Sequence, residues 1–188
     1  MVFFLFFDFF RHIFTFFFGI LKEIFVFCCM IFIGGEIMEK LEYYYINRGT
    51  CAVIPIDKEV SEVIELDCSY IVNKSSKDII DDSCRYFGSS YQGRFEGTKR
   101  ILNMNYKLPI LIEEFSNLIF FPTSSPRFGY SLWISFNNIK EYLKIDDGSK
   151  IIFNNNKEIS LKTSYYSIEN QIFRSAMLDS LIRRRRNV

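Results

Sequence analysis

Histidine is nearly missing from this sequence, since His12 is the only one among 188 residues. Ser/His/Asp and Cys/His catalysis and most metal sites depend on histidine, and His12 lies in an atypical apolar leader. Acid–base catalysis by lysine or carboxylates would not require histidine, but the sequence shows no recognisable arrangement of such residues. We therefore expect that the protein is not an enzyme, needs no cofactor and has no metal site.

Cysteine is present without any of its functional spacings. The absence of a C-x-x-C pair excludes both a zinc knuckle and a thioredoxin-type redox site. Three widely spaced cysteines in the second part of the chain are typical of reduced, buried small hydrophobes, which favours a cytoplasmic location. The five positions are Cys28, Cys29, Cys51, Cys68 and Cys84.

An excess of charge of either sign is also missing. The chain has 23 Lys and Arg against 22 Asp and Glu, a net charge of +1. Global electrostatics therefore indicates no polyanionic partner, and any nucleic-acid surface must be a local patch. With 49% hydrophobic residues, the composition also excludes collagen-like, disulfide-scaffold and disordered classes.

The sequence divides into two unlike parts. Residues 1–37 hold 13 of the 22 phenylalanines but only two basic and three acidic residues. Residues 38–188 are ordinary in composition, with 21 basic and 19 acidic residues, and are long enough to bury a substantial core. We exclude the leader from the fold prediction and treat residues 38–188 as one domain.

Three interpretations of the leader remain open. It is long enough for a membrane span, although Lys22 and Glu23 would each cost about 2.5–3.5 kcal/mol at the bilayer centre. A gene-start artefact, with Met38 as the true start, would explain the near-homopolymeric phenylalanine. A buried helix is the third. A signal peptide fits less well, because residues 1–10 are already apolar, carry Asp8 and lead to no A-x-A-like site.

The hydrophobic pattern predicts an α+β fold with a largely antiparallel sheet and two main helices. Apolar runs predict strands at residues 41–46, 51–56, 60–72, 110–112, 118–121 and 132–134, with a hairpin over 150–162. Spacing near 3.6 predicts an amphipathic helix over about 76–87, capped by Ser75 or Ser76 and stopped by Gly88. A second helix, over about 167–182, is capped by Ser167, and residues 137–143 are interpreted as one or two helical turns.

Residues 88–100 are predicted to form a loop rich in glycine, hydroxyls and cations. Gly88-x-x-x-x-Gly93 has P-loop spacing, but Arg94 and Phe95 stand where Lys and Ser/Thr are required, which excludes nucleotide hydrolysis. Backbone N–H groups and cations suit a phosphate-binding loop, while a plain solvated loop is the alternative. The run Arg183–Arg186 forms the strongest local basic patch, or else a solubilising end.

Three blocks of sequence resemble the competence transcription factor (ComK) family. They are DSCRYFGSSYQGR at 82–94, FFPTS at 120–124 followed by WIS at 133–135, and SYYSIENQ at 164–171 continuing through Phe173, Arg174 and Ala176. Their order and separations also agree, and the resemblance extends over about residues 43–178. The chain is therefore identified as a member of this family.

The resemblance implies a cytoplasmic transcription activator that binds paired A/T-run boxes in double-stranded DNA, contacts the minor groove, forms a homo-oligomer and assists RNA polymerase. Narrow A-tract minor grooves attract arginine, so cations and hydrogen-bond donors are the candidate contacts. The candidate DNA-binding residues are Arg85, Ser89, Ser90, Tyr91, Gln92, Arg94, Lys99, Arg100, Arg127, Arg174, Arg183 and Arg184.

Two departures from the family matter. Its members start near the position of Met38, which favours the gene-start interpretation, and they continue beyond the last helix into a segment that recruits a proteolytic adaptor. The short C-terminus here leaves that partner open. Two alternatives therefore stand beside the activator: a membrane-tethered, membrane-associated protein if residues 1–37 are real, and a degenerate paralogue without independent DNA-binding activity.

Overall fold

The computed structural model describes residues 31–33 and 36–186, and the three interpretations of the leader concern residues that lie mostly outside this range. The chain divides into two compact units, Met1–Lys40 and Leu41–Val188. At the end of the first unit, β1 (Ile31–Ile33) and β2 (Glu36–Leu41) form a short antiparallel hairpin in which Ile31 pairs with Met38.

The second unit is built on six antiparallel strands in the order β5-β4-β3-β8-β7-β6. A separate three-stranded antiparallel sheet has the order β11-β10-β9. The strands are β3 Thr50–Pro55, β4 Ser61–Glu65, β5 Ser69–Val72, β6 Ile110–Glu113, β7 Leu118–Pro122, β8 Trp133–Ser135, β9 Ile139–Ile145, β10 Gly148–Phe153 and β11 Glu158–Leu161.

Both faces of the six strands are covered, which explains their unbroken apolar runs. Alternate residues face opposite sides: Phe120 and Trp133 join a core with helix residues such as Ile79, whereas Phe121 and Ile134 join a second core with the three-stranded sheet. Because successive strand residues point in opposite directions, a strand covered on both sides has no polar face. The predicted strands at 51–56, 110–112, 118–121 and 132–134, and the hairpin, are confirmed.

Three helices, not two, complete the fold: α1 Ser76–Tyr86, α2 Tyr91–Leu102 and α3 Tyr165–Arg186. The prediction of the first is confirmed at both ends. Ser75 caps α1 by accepting a hydrogen bond from Asp78 N, and Gly88 ends it with φ +77°. Around Gly88 the N–H groups of Gly88 and Ser89 donate to the carbonyls of Arg85 and Cys84, a Schellman motif. The last helix begins two residues before the predicted start, so Ser167 is not its cap; the N–H of Ser167 donates to Ser164 Oγ at 3.4 Å.

Two predicted elements are wrong in type. Residues 42–46 form no strand, although Tyr44 and Ile46 are buried and Tyr45 is exposed; the N–H of Ile46 instead donates to Ser83 Oγ of α1 at 3.0 Å. Residues 137–143 are not helical turns but lead into β9, which pairs with β10. The half-buried positions Ile139 and Tyr142 recur at three-residue spacing and so resemble a helix face.

The cysteine prediction is confirmed for two positions. Cys51 and Cys84 are free and buried, and burial raises their pKa values to about 11 and about 12. Such thiols stay protonated and pack as small hydrophobes. Cys68 is free and half-buried. Over the described residues, no helix has the length and apolar character needed to cross a membrane.

Candidate nucleic-acid interface

The segment predicted as a loop at 88–100 is mostly helix α2. Ser90 caps it, accepting a hydrogen bond from Gly93 N at 3.1 Å, and Tyr91, Phe95, Thr98 and Leu102 form its inward face. Tyr91 packs edge-on against the buried Trp133, with ring centroids 6.0 Å apart. This packing outweighs the low helix propensity of Gly93 and Gly97, the two residues whose presence favoured a loop in the sequence.

Asp81 of α1 joins the first two helices. One oxygen accepts from the backbone N–H of Tyr91 at 2.8 Å, and the other accepts from Arg85 Nε at 2.9 Å. Partial burial raises the pKa of Asp81, but the two hydrogen bonds and the charges of Arg85 and Lys77 outweigh it, so the pKa is lowered overall. The ionised carboxylate thus fixes the start of α2 against α1.

A basic groove runs alongside α2, between its inward and its exposed faces, and we call it the α2 groove. Its volume is about 490 Å³. Four cations from four separate segments line it, Lys77 of α1, Lys99 of α2, Lys107 of the following loop and Arg127 of a 3-10 turn, together with the rings of Tyr91, Phe95 and Tyr106. Cations interleaved with aromatic rings are what a polyanion with flat, stackable groups requires.

The α2 groove keeps most of its positive charge available. Among the described residues that line it, the one carboxylate is Glu96, which accepts from Gln92 Nε2 at 3.0 Å and lies 3.9 Å from Lys99 Nζ. Within the same part of the chain, Lys77 and Arg127 form no ion pair, and Lys107 donates to the carbonyl of Thr123 at 3.3 Å. Burial raises the pKa of Tyr91, so its hydroxyl stays protonated and able to donate.

A second groove, of about 410 Å³, separates α2 from the end of α3. Arg94 lies in it with only 14% of its side chain exposed, paired with Glu114. Arg186 donates to the carbonyl of the same Glu114. The Nε of Arg94 has no hydrogen-bond partner among the described residues. Arg185 also lines this groove, together with apolar side chains of Ile101, Leu111, Leu178 and Ile182. Its three cations and one carboxylate make it less basic than the α2 groove, which has four cations and one carboxylate.

The structure does not bring all the predicted DNA-binding residues together. Tyr91, Gln92, Lys99 and Arg127 line the α2 groove, whereas Ser89 and Arg94 line the second groove. The others are used or placed elsewhere: Arg85 pairs with Asp81, Ser90 is the α2 cap, Arg100 is exposed on α2, Arg174 donates to the carbonyl of Tyr106 at 3.0 Å, Arg183 pairs with Asp179 at 2.8 Å and Arg184 is exposed near the end of α3.

Several residues of the α2 groove are absent from the sequence prediction, among them Lys77, Tyr106 and Lys107. Lys77 lies in the first turn of α1, where a lysine is ordinary helix surface. Tyr106 and Lys107 are adjacent to each other just after α2, with the ammonium of Lys107 5.6 Å from the centre of the Tyr106 ring. An aromatic residue next to a cation in a loop is the signal that could have identified this pair.

Comparisons with known proteins agree with the resemblance seen in the sequence. The family model described as ComK protein matches residues 41–187, and the chain belongs to this family. A curated relative, the competence transcription factor of Bacillus subtilis (strain 168), is 40% identical over 142 residues, which cover 73% of this chain and 74% of the relative. No solved structure matches.

Proposed function

We propose that this protein is a DNA-binding transcription activator of competence genes. Its membership of the ComK family supports this, as does its 40% identity to a competence transcription factor over most of both chains. In this proposal the protein acts in the cytoplasm, catalyses no reaction and needs no cofactor. Double-stranded DNA, further copies of itself and RNA polymerase are the proposed partners, and a proteolytic adaptor stays open.

The α2 groove is the observation that carries the DNA proposal. A chain with a net charge of only +1 concentrates Lys77, Lys99, Lys107 and Arg127 around one surface that, among the described residues, holds a single carboxylate. Phosphates binding there would release condensed counterions, which is the main source of affinity in protein–DNA contacts. Since the cations come from segments far apart in sequence, only the folded domain presents them together.

The proposed target is a pair of A/T-run boxes read through the minor groove, as the family resemblance implies. An A-tract has a narrow minor groove with an enhanced negative potential, into which an arginine side chain inserts favourably. Arg127, which is exposed on a 3-10 turn, is the residue we assign to that insertion. The lysines of the α2 groove are assigned to phosphates, and Tyr91 and Gln92 to hydrogen bonds with the backbone or the base edges.

The assignment is tested with groove variants of the full chain. Fluorescence anisotropy on a labelled duplex with two A/T-run boxes is measured over a salt series for the double variant Lys99→Gln and Arg127→Gln. The affinity should fall, and the slope of log K against log salt should decrease in size by about 2, because each substitution removes one cation that binds DNA.

A matched control carries Lys144→Gln and Lys162→Gln. These exposed lysines lie in β9 and directly after β11, away from the α2 groove, so the control has the same net charge as the groove variant. Its affinity and salt slope should stay close to those of the unmodified chain. Equal effects of the two double variants would mean that net charge matters and the groove does not, and the assignment would be abandoned.

A further inference from the structure

The outer face of α3 exposes large apolar side chains. Tyr166, Phe173 and Met177 are 66%, 60% and 46% exposed. The opposite face of the helix is buried and packs into the protein through Ile168, Leu178 and Ile182. Because a solvated helix face is normally polar, these three side chains on one face mark a contact surface.

The exposed residues follow the spacing of a coiled-coil seam. Positions 166, 170, 173, 177, 180 and 184 alternate in steps of four and three, and all six are exposed. At 1.5 Å per residue this stripe is about 27 Å long. We call it the α3 stripe; it consists of Tyr166, Asn170, Phe173, Met177, Ser180 and Arg184. Four-three spacing lets a second helix pack along the whole length of the stripe.

The α3 stripe is complementary to itself when reversed. We propose that it is the interface of a two-fold symmetric dimer of this chain, in which the two α3 helices pack antiparallel. Around a centre at position 175, each residue of the stripe meets a residue of the second copy whose position is its mirror image. A two-fold interface must use the same patch on both copies, and this stripe meets that condition.

Each of the three pairings is chemically favourable. Phe173 meets Met177 of the second copy, a sulfur–aromatic contact. Asn170 meets Ser180 of the second copy, which can hydrogen-bond. Tyr166 meets Arg184 of the second copy, which places a guanidinium on an aromatic ring. A parallel arrangement would instead place Arg184 against Arg184, two like charges.

The residues beside the stripe agree with the antiparallel arrangement. Glu169 and Arg183 lie on the same flank towards opposite ends of the stripe, so reversing the second copy brings these opposite charges near each other, while Arg183 also pairs with Asp179 of its own copy. Arg174 lies on the other flank near the centre, where it would approach Arg174 of the second copy, a residue of like charge. Its Nη1 donates to the carbonyl of Tyr106, which draws the guanidinium away from that approach.

The biological role of this dimer depends on the proposed function, because a symmetric assembly suits binding to paired boxes. Its formation is measured without DNA, so failure of the dimer and failure of DNA binding are separate results. The first test is sedimentation velocity of the full chain over a concentration series, with circular dichroism as the folding check. Met177→Glu should weaken dimerisation by at least about tenfold, because it would place an unpaired carboxylate in an apolar contact.

Ile56→Glu is the matched control, since Ile56 is 52% exposed and lies outside α3. It should dimerise like the unmodified chain. A monomeric unmodified chain would overturn the proposal, as would a dimer that Met177→Glu leaves unchanged. Phe173→Glu repeats the test at the mirrored position if the first variant does not fold.

The direction of packing is tested by cross-linking. Asn170→Cys and Ser180→Cys are made separately with the five native cysteines replaced by alanine, and then mixed and oxidised. The antiparallel dimer predicts a mixed disulfide between the two variants and little self-cross-linking of either. Self-cross-linked Asn170→Cys and Ser180→Cys dimers would mean parallel packing and would contradict the proposed arrangement.

Discussion

The carboxylate of Asp81 in α1 accepts a hydrogen bond from the backbone N–H of Tyr91, the first residue of α2, at 2.8 Å. The same carboxylate holds Arg85. This contact sets the position of the helix that carries Gln92 and Lys99 along the proposed DNA surface. Asp81 is therefore a positioning residue for the α2 groove, although it does not line the groove.

Replacing Asp81 should loosen the start of α2. Asp81→Ala removes the acceptor of the Tyr91 N–H, and we expect the free energy of unfolding to fall by about 1 kcal/mol in a urea titration. Asp81→Asn keeps a side-chain oxygen and should be destabilised less. Equal stability of Asp81→Ala and the unmodified chain would show that the contact does not hold the helix.

The contribution of Asp81 should depend on pH in a defined direction. Its pKa in the folded chain is lowered from the ordinary aspartate value of about 3.9. A lowered folded pKa gives stability that is fully present above the unfolded value and disappears as the pH falls through the folded one. The stability difference between the unmodified chain and Asp81→Asn should be constant at neutral pH and shrink in acid below the ordinary value. A difference that grows in acid would contradict the lowered pKa.

Ser90 is predicted to act as the cap of α2. Its hydroxyl accepts from Gly93 N, so Ser90→Ala should lower the free energy of unfolding by about 1 kcal/mol. Ser90→Asp, which also caps and adds a favourable charge at the helix start, should restore it. Equal stability of Ser90→Ala and the unmodified chain would show that the hydroxyl of Ser90 does not stabilise the start of α2.

Gly97 should separate stability from binding. A Cβ at this position would meet nothing within 4 Å, so the fold does not require glycine there. Gly97→Ala should raise the free energy of unfolding by about 0.5–1 kcal/mol, because alanine favours helix. We expect DNA affinity to stay unchanged, since Gly97 lines the second groove and not the α2 groove. Weaker binding would place the second groove in the DNA interface and contradict its assignment to the α2 groove alone.

The sequence predicts those elements whose signals are local. Ser75 and Gly88 mark both ends of α1, and the apolar runs mark strands of the central sheet. Helix α2 is not predicted from the sequence, because Gly93 and Gly97 are weak helix formers. Its stability comes from tertiary packing of Tyr91 on Trp133, a residue 42 positions away in the sequence. The spacing of Tyr91, Phe95, Thr98 and Leu102 after a serine cap is the signal that could have identified it.

The candidate site was predictable only in part for the same reason. Tyr91, Gln92 and Lys99 belong to one sequence block, and they do lie along one groove. Lys77, Lys107 and Arg127 reach it from other segments, and no local pattern links them. Conversely, Arg94 looks like its neighbours in sequence, but its place on the helix turns it towards Glu114 and covers most of its side chain.

The most direct test of the central claim is DNA binding by the full chain on two matched duplexes. One carries two A/T-run boxes and the other has G·C pairs in the boxes, and anisotropy is followed over a salt series. We predict salt-dependent binding that is clearly tighter on the A/T duplex, because a narrow minor groove attracts arginine. Equal affinity for the two duplexes, or no binding to either, would contradict the proposed function.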